Sequence, residues 1–238
     1  GSRSFVDLGD RVPLSVLLKG MIIQSGNDAS VALAEHVSGS ESAFADLMNQ
    51  YAKELGMGST SYRNATGLPD PEHYTTATDI LKLANAIIRE FPDYYRWYSE
   101  KEFTWNGITQ SNRNGLLWRD STVDGMKTGF TDTAGYCLVS SALRDDMRLV
   151  AVVLGTDSPA ARERESQTLL NYGYRFYETK LLLPGGKALS EARVWKGETE
   201  LVDVGVRRNA WVTVPRGTVG QLKPTYTLPA QLMAPLDP

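Results

Sequence analysis

The 238-residue chain has few of the side chains on which disulfide-stabilised and metal-binding proteins depend. Its single cysteine, Cys137, excludes an intramolecular disulfide and a metal site built from several thiolates. Its two histidines, His36 and His73, are far apart in sequence and lack the spacing of metal ligands. We therefore expect neither a bound metal nor a cofactor.

A large excess of one charge and long apolar runs are also missing. The net charge of -3 gives no basic surface for a nucleic acid, so we expect no such partner. No apolar run approaches the roughly 20 residues that cross a bilayer. The opening GSRSFVDLGD does not form a basic and then apolar leader, and both ends are abrupt. We expect a piece of a longer protein.

The first half of the chain has helical periodicity. Apolar residues recur three and four positions apart over 14–22, which predicts one helix. Two further helices follow, the first of them capped by Asn27 or Asp28. A capping box of Thr76 and Asp79 predicts the start of a fourth helix. This half is predicted to form a helical cluster.

The pattern changes after about residue 100. The apolar runs GYCLVSSAL and MRLVAVVLG, joined by 144–146, predict an antiparallel hairpin. The second run is apolar on both faces over 150–154, which predicts a central strand covered by helices on each side. The stretch RERESQTLLNYGYRFYE predicts a covering helix with Leu169, Tyr172 and Phe176 on its apolar face.

The final part of the sequence has short strand-like pieces separated by glycine and proline. This sequence pattern begins after Leu181 and predicts a small β-rich domain. We expect an α+β fold with two domains, a partial catalytic domain over 1–179 and a partial β-rich domain over 180–238.

Two triplets carry residue types that are useful in catalysis. Ser-Gly-Asn at 25–27 places a hydroxyl and an amide between two helical patterns, although a helix–helix turn would explain it equally well. Lys-Thr-Gly at 127–129 precedes the predicted hairpin. It combines a compact positive charge, a short hydroxyl donor and a glycine that allows a substrate backbone to approach a strand edge. A surface turn with a solvated lysine is the alternative.

Together, the two triplets match two of the three motifs of active-site-serine penicillin-binding proteins and serine β-lactamases. QSGNDASVALAEHVSGS, FADLMNQYAKELGM, NRNGLLW, VDGMKTGFTDTAGY and GYRFYETK resemble the D-alanyl-D-alanine carboxypeptidases of the penicillin-binding protein 5/6 family. The resemblance covers nearly the whole chain. It implies a β-lactamase/transpeptidase-like fold, with a helical subdomain and an antiparallel sheet covered by helices, followed by the start of a small β-rich domain.

The third motif, Ser-x-x-Lys, is missing. None of the nine lysines has a serine three positions before it. The resemblance implies that the nucleophilic serine, its lysine and the first strands of the sheet precede Gly1. It also implies that the rest of the β-rich domain and an amphipathic membrane anchor follow Pro238. We expect the isolated chain to be inactive.

The resemblance implies a serine-type D-Ala-D-Ala carboxypeptidase that removes the terminal D-alanine from peptidoglycan stem pentapeptides through an acyl-serine. The expected partners are stem peptides ending in D-Ala-D-Ala and β-lactam antibiotics, which inhibit the enzyme. The expected location is the bacterial periplasm, at the outer face of the cytoplasmic membrane.

The resemblance also assigns roles to the residues of the two triplets. Ser25 would pass a proton to the leaving amine, and Asn27 would hold the catalytic lysine and a substrate amide. Lys127 would supply positive potential that favours deprotonated hydroxyls. Thr128 would bind the terminal carboxylate, and Gly129 would leave room for a substrate lying along the strand.

Four further residues are singled out. Arg162 and Arg113 match arginines that flank the site, and a guanidinium fork suits a carboxylate. Phe130 stands where the family commonly has a histidine. Cys137 is expected to be a small buried residue of a strand.

Two other functions stay open. A β-lactamase of the same fold is disfavoured because Gly26 stands where class A enzymes usually have aspartate, and no Glu-x-x-Leu-Asn stretch occurs. A non-catalytic muropeptide-binding module is the other alternative, since the chain contains no nucleophile motif.

Overall fold

The structure, a computed structural model, describes residues 1–7, 9–225, 227 and 232–236. The chain forms two compact units, Gly1–Tyr172 and Gly173–Pro238. The first unit combines helices with an antiparallel sheet, which confirms the expected α+β class. The domain boundary expected between 179 and 180 remains a prediction.

The helices are concentrated in the first part of the chain, as the periodicity predicted. They are α1 (Leu14–Lys19), α2 (Asn27–Ser38), α3 (Glu41–Glu54), α4 (Ala77–Glu90), α5 (Pro92–Tyr95), α6 (Leu116–Arg119) and α7 (Pro159–Phe176). A π-helical turn, Gly20–Gln24, continues α1, and a 3-10 turn, Arg96–Ser99, follows α5. In the described part of the chain, no helix has both the length and the apolarity needed to cross a membrane.

The strands of the first unit form two antiparallel arrangements. They are β1 (Glu102–Trp105), β2 (Ile108–Ser111), β3 (Val123–Thr131), β4 (Gly135–Arg144) and β5 (Met147–Thr156). The first two strands form a hairpin across the Asn-Gly pair at 106–107, and the other three form a sheet in the order β3-β4-β5.

The second unit is β-rich over its described residues. Its strands are β6 (Tyr177–Leu183), β7 (Ala188–Trp195), β8 (Leu201–Gly205), β9 (Ala210–Pro215) and β10 (Leu232–Met233). β6 pairs with β9, and β7 lies between β8 and β10.

The predicted β4–β5 hairpin is confirmed, whereas the predicted central position of β5 remains a prediction, because the resemblance places further strands of this sheet outside the chain. Asp145 and Asp146 have φ of +47° and +63°, which suits the tight turn of a two-residue hairpin. Among the described strands β4 is central and β5 is an outer strand, against which α4 packs. An apolar pattern on both faces of a strand indicates that helices cover it. The pattern does not indicate how many strands pair with it through backbone hydrogen bonds.

The capping box at the start of α4 forms only in part. The Thr76 hydroxyl accepts a hydrogen bond from the Asp79 backbone N–H at 3.2 Å, as predicted. The buried Asp79 carboxylate does not reciprocate; it accepts from the backbone N–H of Ser59 at 2.8 Å and from the Thr60 hydroxyl at 2.9 Å. Asp79 therefore ties a preceding loop to the helix.

The predicted cap of α2 by Asn27 or Asp28 is wrong. The cap position is Gly26, which makes no side-chain cap. The Asp28 carboxylate instead accepts from the backbone N–H groups of Ser4 at 2.8 Å and Val6 at 3.2 Å. A side chain on Gly26 would overlap Ser4, so the packing of the first residues requires this glycine.

The predicted apolar face of α7 is also wrong, because Leu169, Tyr172 and Phe176 are each about half exposed. The buried positions of this helix are Arg162, Glu163, Ser166 and Leu170. The Glu163 carboxylate occupies the space that a side chain on Gly115 would need. Two charged residues and a serine thus take most of the buried positions, and the surface beneath α7 offers polar partners to the two charged residues.

The start of β3 is fixed by a polar cluster beside a small core. The Tyr95 hydroxyl donates to Asp124 at 2.6 Å, and Arg148 donates to both Asp124 oxygens at 2.8 and 2.7 Å. Tyr95 also packs with the buried side chains of Ala84 and Met126. Because Met126 immediately precedes Lys127, this cluster positions the strand segment that carries the second triplet.

A second polar cluster surrounds Asp120, just after α6. Its carboxylate accepts from the Thr122 backbone N–H at 2.9 Å and hydroxyl at 2.6 Å, from Arg144 at 2.6 Å and from Gln167 at 3.0 Å. Partial burial opposes the charged form, but these hydrogen bonds outweigh it and lower the pKa of Asp120 to about 2.

Replacing Asp120 with asparagine should destabilise the first unit in a pH-dependent way. The depressed pKa means that the carboxylate stabilises the folded state above its unfolded pKa of about 3.9, and that this contribution is lost as the pH falls toward 2. The difference in unfolding free energy between wild type and Asp120→Asn should therefore shrink between pH 5 and pH 3. Urea unfolding followed by tryptophan fluorescence measures it.

Asp46→Asn is the matched control, because Asp46 is exposed on α3. A difference for Asp120→Asn that stays constant over this pH range would contradict the proposed role of the Asp120 charge.

Candidate active site

Ser25 lies at a tight connection between two helices. The π-helical turn ends at Gln24, and Ser25 follows with φ +61° and ψ +39°, a left-handed conformation that is uncommon for a residue with a side chain. Its backbone N–H donates to the Met21 carbonyl at 3.1 Å. The Ser-Gly-Asn triplet is therefore a helix–helix turn, and this turn presents the Ser25 side chain to a cavity.

Lys127 connects this turn to the sheet. From β3, its ammonium donates hydrogen bonds to the Ser25 hydroxyl and to the Thr128 carbonyl, the latter at 3.0 Å. The two triplets are 102 positions apart in sequence, and this contact brings them together.

A cavity of about 1070 Å³ contains all seven site residues that the sequence singled out. They are Ser25, Asn27, Arg113, Lys127, Thr128, Gly129 and Arg162. The structure thus brings the whole set to one place, and the role of each residue remains a prediction.

Two of these side chains are available to a ligand. Thr128 is buried on β3, and Asn27 opens α2 beside Gly1. Within the described part of the chain, neither the Thr128 hydroxyl nor the Asn27 amide makes a side-chain hydrogen bond. Each can therefore bind a polar group in the cavity.

Arg162 projects from α7 and is only 6% exposed. Its Nη1 donates to the Gly129 carbonyl at 3.3 Å and its Nη2 to the Arg113 carbonyl at 3.4 Å. Its buried Nε has no partner among the described residues. The neighbouring Glu163 pairs with Arg119 at 2.9 Å. The guanidinium therefore has donor capacity left for a carboxylate.

Arg113 lines the same cavity but is exposed. The Gln24 side-chain amide is oriented so that its oxygen and its nitrogen both have partners. Its oxygen accepts a hydrogen bond from Arg113 at 3.1 Å, and its nitrogen donates one to the Ser111 carbonyl at 3.2 Å. Gln24, which directly precedes Ser25, thus connects this arginine to the helix–helix turn.

The cavity is electrostatically positive, and this alters the pKa of Lys127. Burial disfavours its charged form, and the nearby Arg113 and Arg162 add repulsion, so that the pKa falls to about 8. At neutral pH most Lys127 side chains are still protonated. A small rise in pH or the binding of an anion shifts this balance.

Cys137 does not have the buried, purely structural position that was expected. It lies on β4 opposite Gly129, is partly exposed and lines the same cavity. Its thiol lies 3.7 Å from the Ala134 carbonyl.

Sequence reasoning missed two tyrosines in the cavity wall. Tyr98 stacks on Tyr95 with ring centroids 5.8 Å apart, and burial raises the pKa of its hydroxyl. The Tyr136 ring lies 5.7 Å from the guanidinium carbon of Arg162. No periodicity or motif separates these tyrosines from the other nine in the sequence.

A loop that lines the cavity was not among the predicted site residues. The Asn64 side-chain oxygen accepts from the backbone N–H groups of Thr66, Gly67 and Leu68 at 3.2, 2.7 and 3.1 Å. These three residues line the cavity. An asparagine before a Gly-Leu-Pro run is a signal for an ordered turn that could have identified this loop.

No metal centre accompanies the site in the part of the chain that the structure describes. No three side chains of the histidine, cysteine, aspartate and glutamate types come close enough there to hold an ion.

Two family models match the chain, one in each part. Residues 1–158 match the model described as D-alanyl-D-alanine carboxypeptidase, and residues 177–237 match the model of the penicillin-binding protein 5 C-terminal domain.

Curated relatives match over nearly the whole chain. D-alanyl-D-alanine carboxypeptidases DacD and DacA of Escherichia coli are 42% and 45% identical over 238 residues, which is 99% of this chain and 61% and 59% of theirs. The chain thus spans about three fifths of the length of these relatives.

Solved structures agree with the fold. Penicillin-binding protein 5 from Haemophilus influenzae has a TM-score of 0.88 at 44% identity, with 99% of this chain and 70% of that chain covered. Penicillin-binding protein D2 from Listeria monocytogenes, solved with ampicillin bound, has a TM-score of 0.65 at 31% identity, with 70% of each chain covered. The expected transpeptidase-like fold is confirmed.

Lys127 should titrate well below an ordinary lysine. Reductive ¹³C-methylation followed by NMR should show a resonance with a midpoint near 8 that is lost in Lys127→Gln, because burial and two arginines disfavour the charged ammonium. In Arg113→Gln the midpoint of this resonance should rise, since one repulsive charge is removed. A Lys127 resonance with a midpoint near the ordinary lysine value of about 10.4 would contradict the electrostatics described above.

Proposed function

Since the chain belongs to the D-alanyl-D-alanine carboxypeptidase family, we propose that the whole protein removes the terminal D-alanine from peptidoglycan stem peptides through an acyl-serine. The observation that carries this proposal is the hydrogen bond from the Lys127 ammonium to the Ser25 hydroxyl, in a cavity that also holds Arg162. This arrangement combines a proton path with an anchor for an anion.

The free α-carboxylate of the substrate binds at the Arg162 end of the cavity. The Nη1 and Nη2 groups of the guanidinium each donate only one hydrogen bond to a described residue, and the Thr128 hydroxyl donates none. Because each Nη has a second N–H, a carboxylate can accept from both the guanidinium and Thr128, and charge-assisted hydrogen bonds of this kind are roughly twice as strong as neutral ones. A substrate that ends in a free carboxylate is thereby selected.

Gly129 leaves the outer side of β3 open to the peptide. A side chain there would meet only the Cβ of Cys137 at 3.7 Å, which is an ordinary contact, so folding alone does not require glycine. Close approach of a substrate backbone to the strand edge gives a reason for it.

The reaction proceeds in two acyl transfers. The oxygen of a nucleophilic serine attacks the carbonyl carbon between the two D-alanines, and the carbon–nitrogen bond breaks as the amine of the leaving D-alanine receives a proton through Ser25. Water then attacks the resulting ester, which releases the shortened peptide and restores the serine hydroxyl.

Lys127 supports both transfers by its charge. An ammonium that donates to Ser25 stabilises the oxygen as its proton leaves, and the low pKa of about 8 keeps the side chain close to its titration point. Asn27 lies at the same cavity and holds the amide of the substrate.

We propose that the nucleophile lies outside this chain, because no lysine here has a serine three positions before it. We therefore assign acylation to the whole protein and binding of the substrate carboxylate to this chain. The alternatives are a β-lactamase and a muropeptide-binding module without catalysis.

The setting follows from the substrate. Peptidoglycan lies outside the cytoplasm, so we place the whole protein in the bacterial periplasm, held at the cytoplasmic membrane by a C-terminal anchor. β-Lactams are expected to acylate it, as ampicillin is bound in the Listeria structure.

Removing the arginine should abolish selection for the free carboxylate. In the whole protein, kcat/KM for an acyl-D-Ala-D-Ala peptide should exceed that for its C-terminal amide by about 10- to 100-fold, the size of a charged hydrogen bond. Arg162→Gln should reduce this ratio to near one, mainly by raising KM for the acid. Exposed Arg164→Gln on the same helix is the matched control. If Arg162→Gln leaves the acid-to-amide ratio of kcat/KM unchanged, the carboxylate binds elsewhere.

Labelled penicillin separates the three functions. Mass spectrometry should show a stable adduct on the whole protein and no adduct on the 238-residue chain, because the chain lacks the nucleophile. Rapid turnover of the label would indicate a β-lactamase. Muropeptide binding without any adduct on the whole protein would indicate a binding module. An adduct on the 238-residue chain would refute the assignment of the nucleophile.

A further inference from the structure

An aromatic pair stands beside the proposed carboxylate anchor. Phe130 follows Gly129 on β3, lines the cavity and is 52% exposed. It is paired in register with Tyr136 on β4, and the two rings stack with centroids 4.2 Å apart and planes at 27°. We call Phe130 and Tyr136 the aromatic shelf. Stacking holds the exposed ring of Phe130 in place.

The shelf is joined to Arg162 by two contacts. The guanidinium carbon lies 5.7 Å from the centre of the Tyr136 ring, and Nη1 donates to the carbonyl of Gly129, the residue before Phe130. The anchor and the shelf are therefore neighbours at the same end of the cavity.

Apart from Arg162, the cavity lining next to the shelf consists of uncharged side chains. Thr131, Ala134 and Cys137 line the cavity there, and exposed Leu68 lines it as well. An apolar group that reaches this place meets apolar or weakly polar atoms and displaces water from an exposed aromatic surface.

The covalent structure of the terminal amino acid determines which group of the substrate contacts the aromatic shelf. The α-carboxylate and the side chain of the terminal residue are attached to the same carbon, so a carboxylate held by Arg162 places that side chain within a few ångströms of the anchor. The methyl group of D-alanine covers little of the shelf, whereas a longer apolar side chain covers much more.

We infer that the leaving-residue subsite accepts stem peptides whose last residue is a bulkier apolar D-amino acid, of the size of D-leucine, in addition to D-alanine. Phe130 is the specificity-determining residue, and Tyr136 supports its ring. This inference rests on the proposed function, because it requires a carboxylate at Arg162.

The test compares two substrates on the whole protein, one ending in D-Ala-D-Ala and one in D-Ala-D-Leu. The measured quantity is kcat/KM for D-leucine release divided by kcat/KM for D-alanine release. Effects of a variant on the catalytic residues that act on both substrates cancel in this ratio. Phe130→Ala should lower this ratio by about 5- to 30-fold, because a few methylene contacts discriminate by this order. Phe130→Leu should recover most of it, since an apolar surface returns.

Phe91→Ala is the matched control, because Phe91 is equally exposed and does not line the cavity. It should leave the ratio unchanged. A wild-type ratio below about 1:100, or a ratio that Phe130→Ala leaves within twofold, would overturn the inference while D-Ala-D-Ala hydrolysis stands. If the wild type cleaves neither peptide, the proposed function fails and the inference fails with it.

Discussion

The hydrogen bond between the Lys127 ammonium and the Ser25 hydroxyl is the contact on which the site depends, because it joins a helix–helix turn to a strand. Both ends are held independently. The π-helical turn and a left-handed backbone orient Ser25, while the Asp124–Arg148 pair and the β4 register fix the strand that carries Lys127. Pre-positioned groups of this kind need no rearrangement when a substrate arrives.

Positive charge is the second organising feature of the site. Lys127, Arg113 and Arg162 surround one cavity, and the nearby Glu163 is already paired with Arg119. Repulsion and burial lower the pKa of Lys127, and an anion near Arg162 would offset both effects. In the proposed function, carboxylate binding and the protonation of Lys127 are therefore linked: a substrate bound at Arg162 would raise the fraction of charged Lys127, which assists cleavage.

Local patterns predicted the elements, and tertiary partners decided how their side chains are used. The β4–β5 hairpin and α4 were predicted correctly because periodicity and turn residues lie within each segment. The caps at Asp28 and Asp79 were predicted less well, since each carboxylate bonds to backbone groups about 20 positions away. The buried face of α7 was missed because a glycine of another segment, Gly115, makes room for Glu163.

By itself, the sequence determined the α+β class, the family resemblance, the missing Ser-x-x-Lys and the seven candidate site residues, because motifs and periodicity are properties of neighbouring residues. Only the tertiary structure decided that these seven residues share one cavity, that burial lowers the pKa of Lys127 to about 8 and that Phe130 stacks on Tyr136 beside Arg162. Burial, charge–charge distance and ring contact depend on where distant segments meet in space, and no local pattern encodes that.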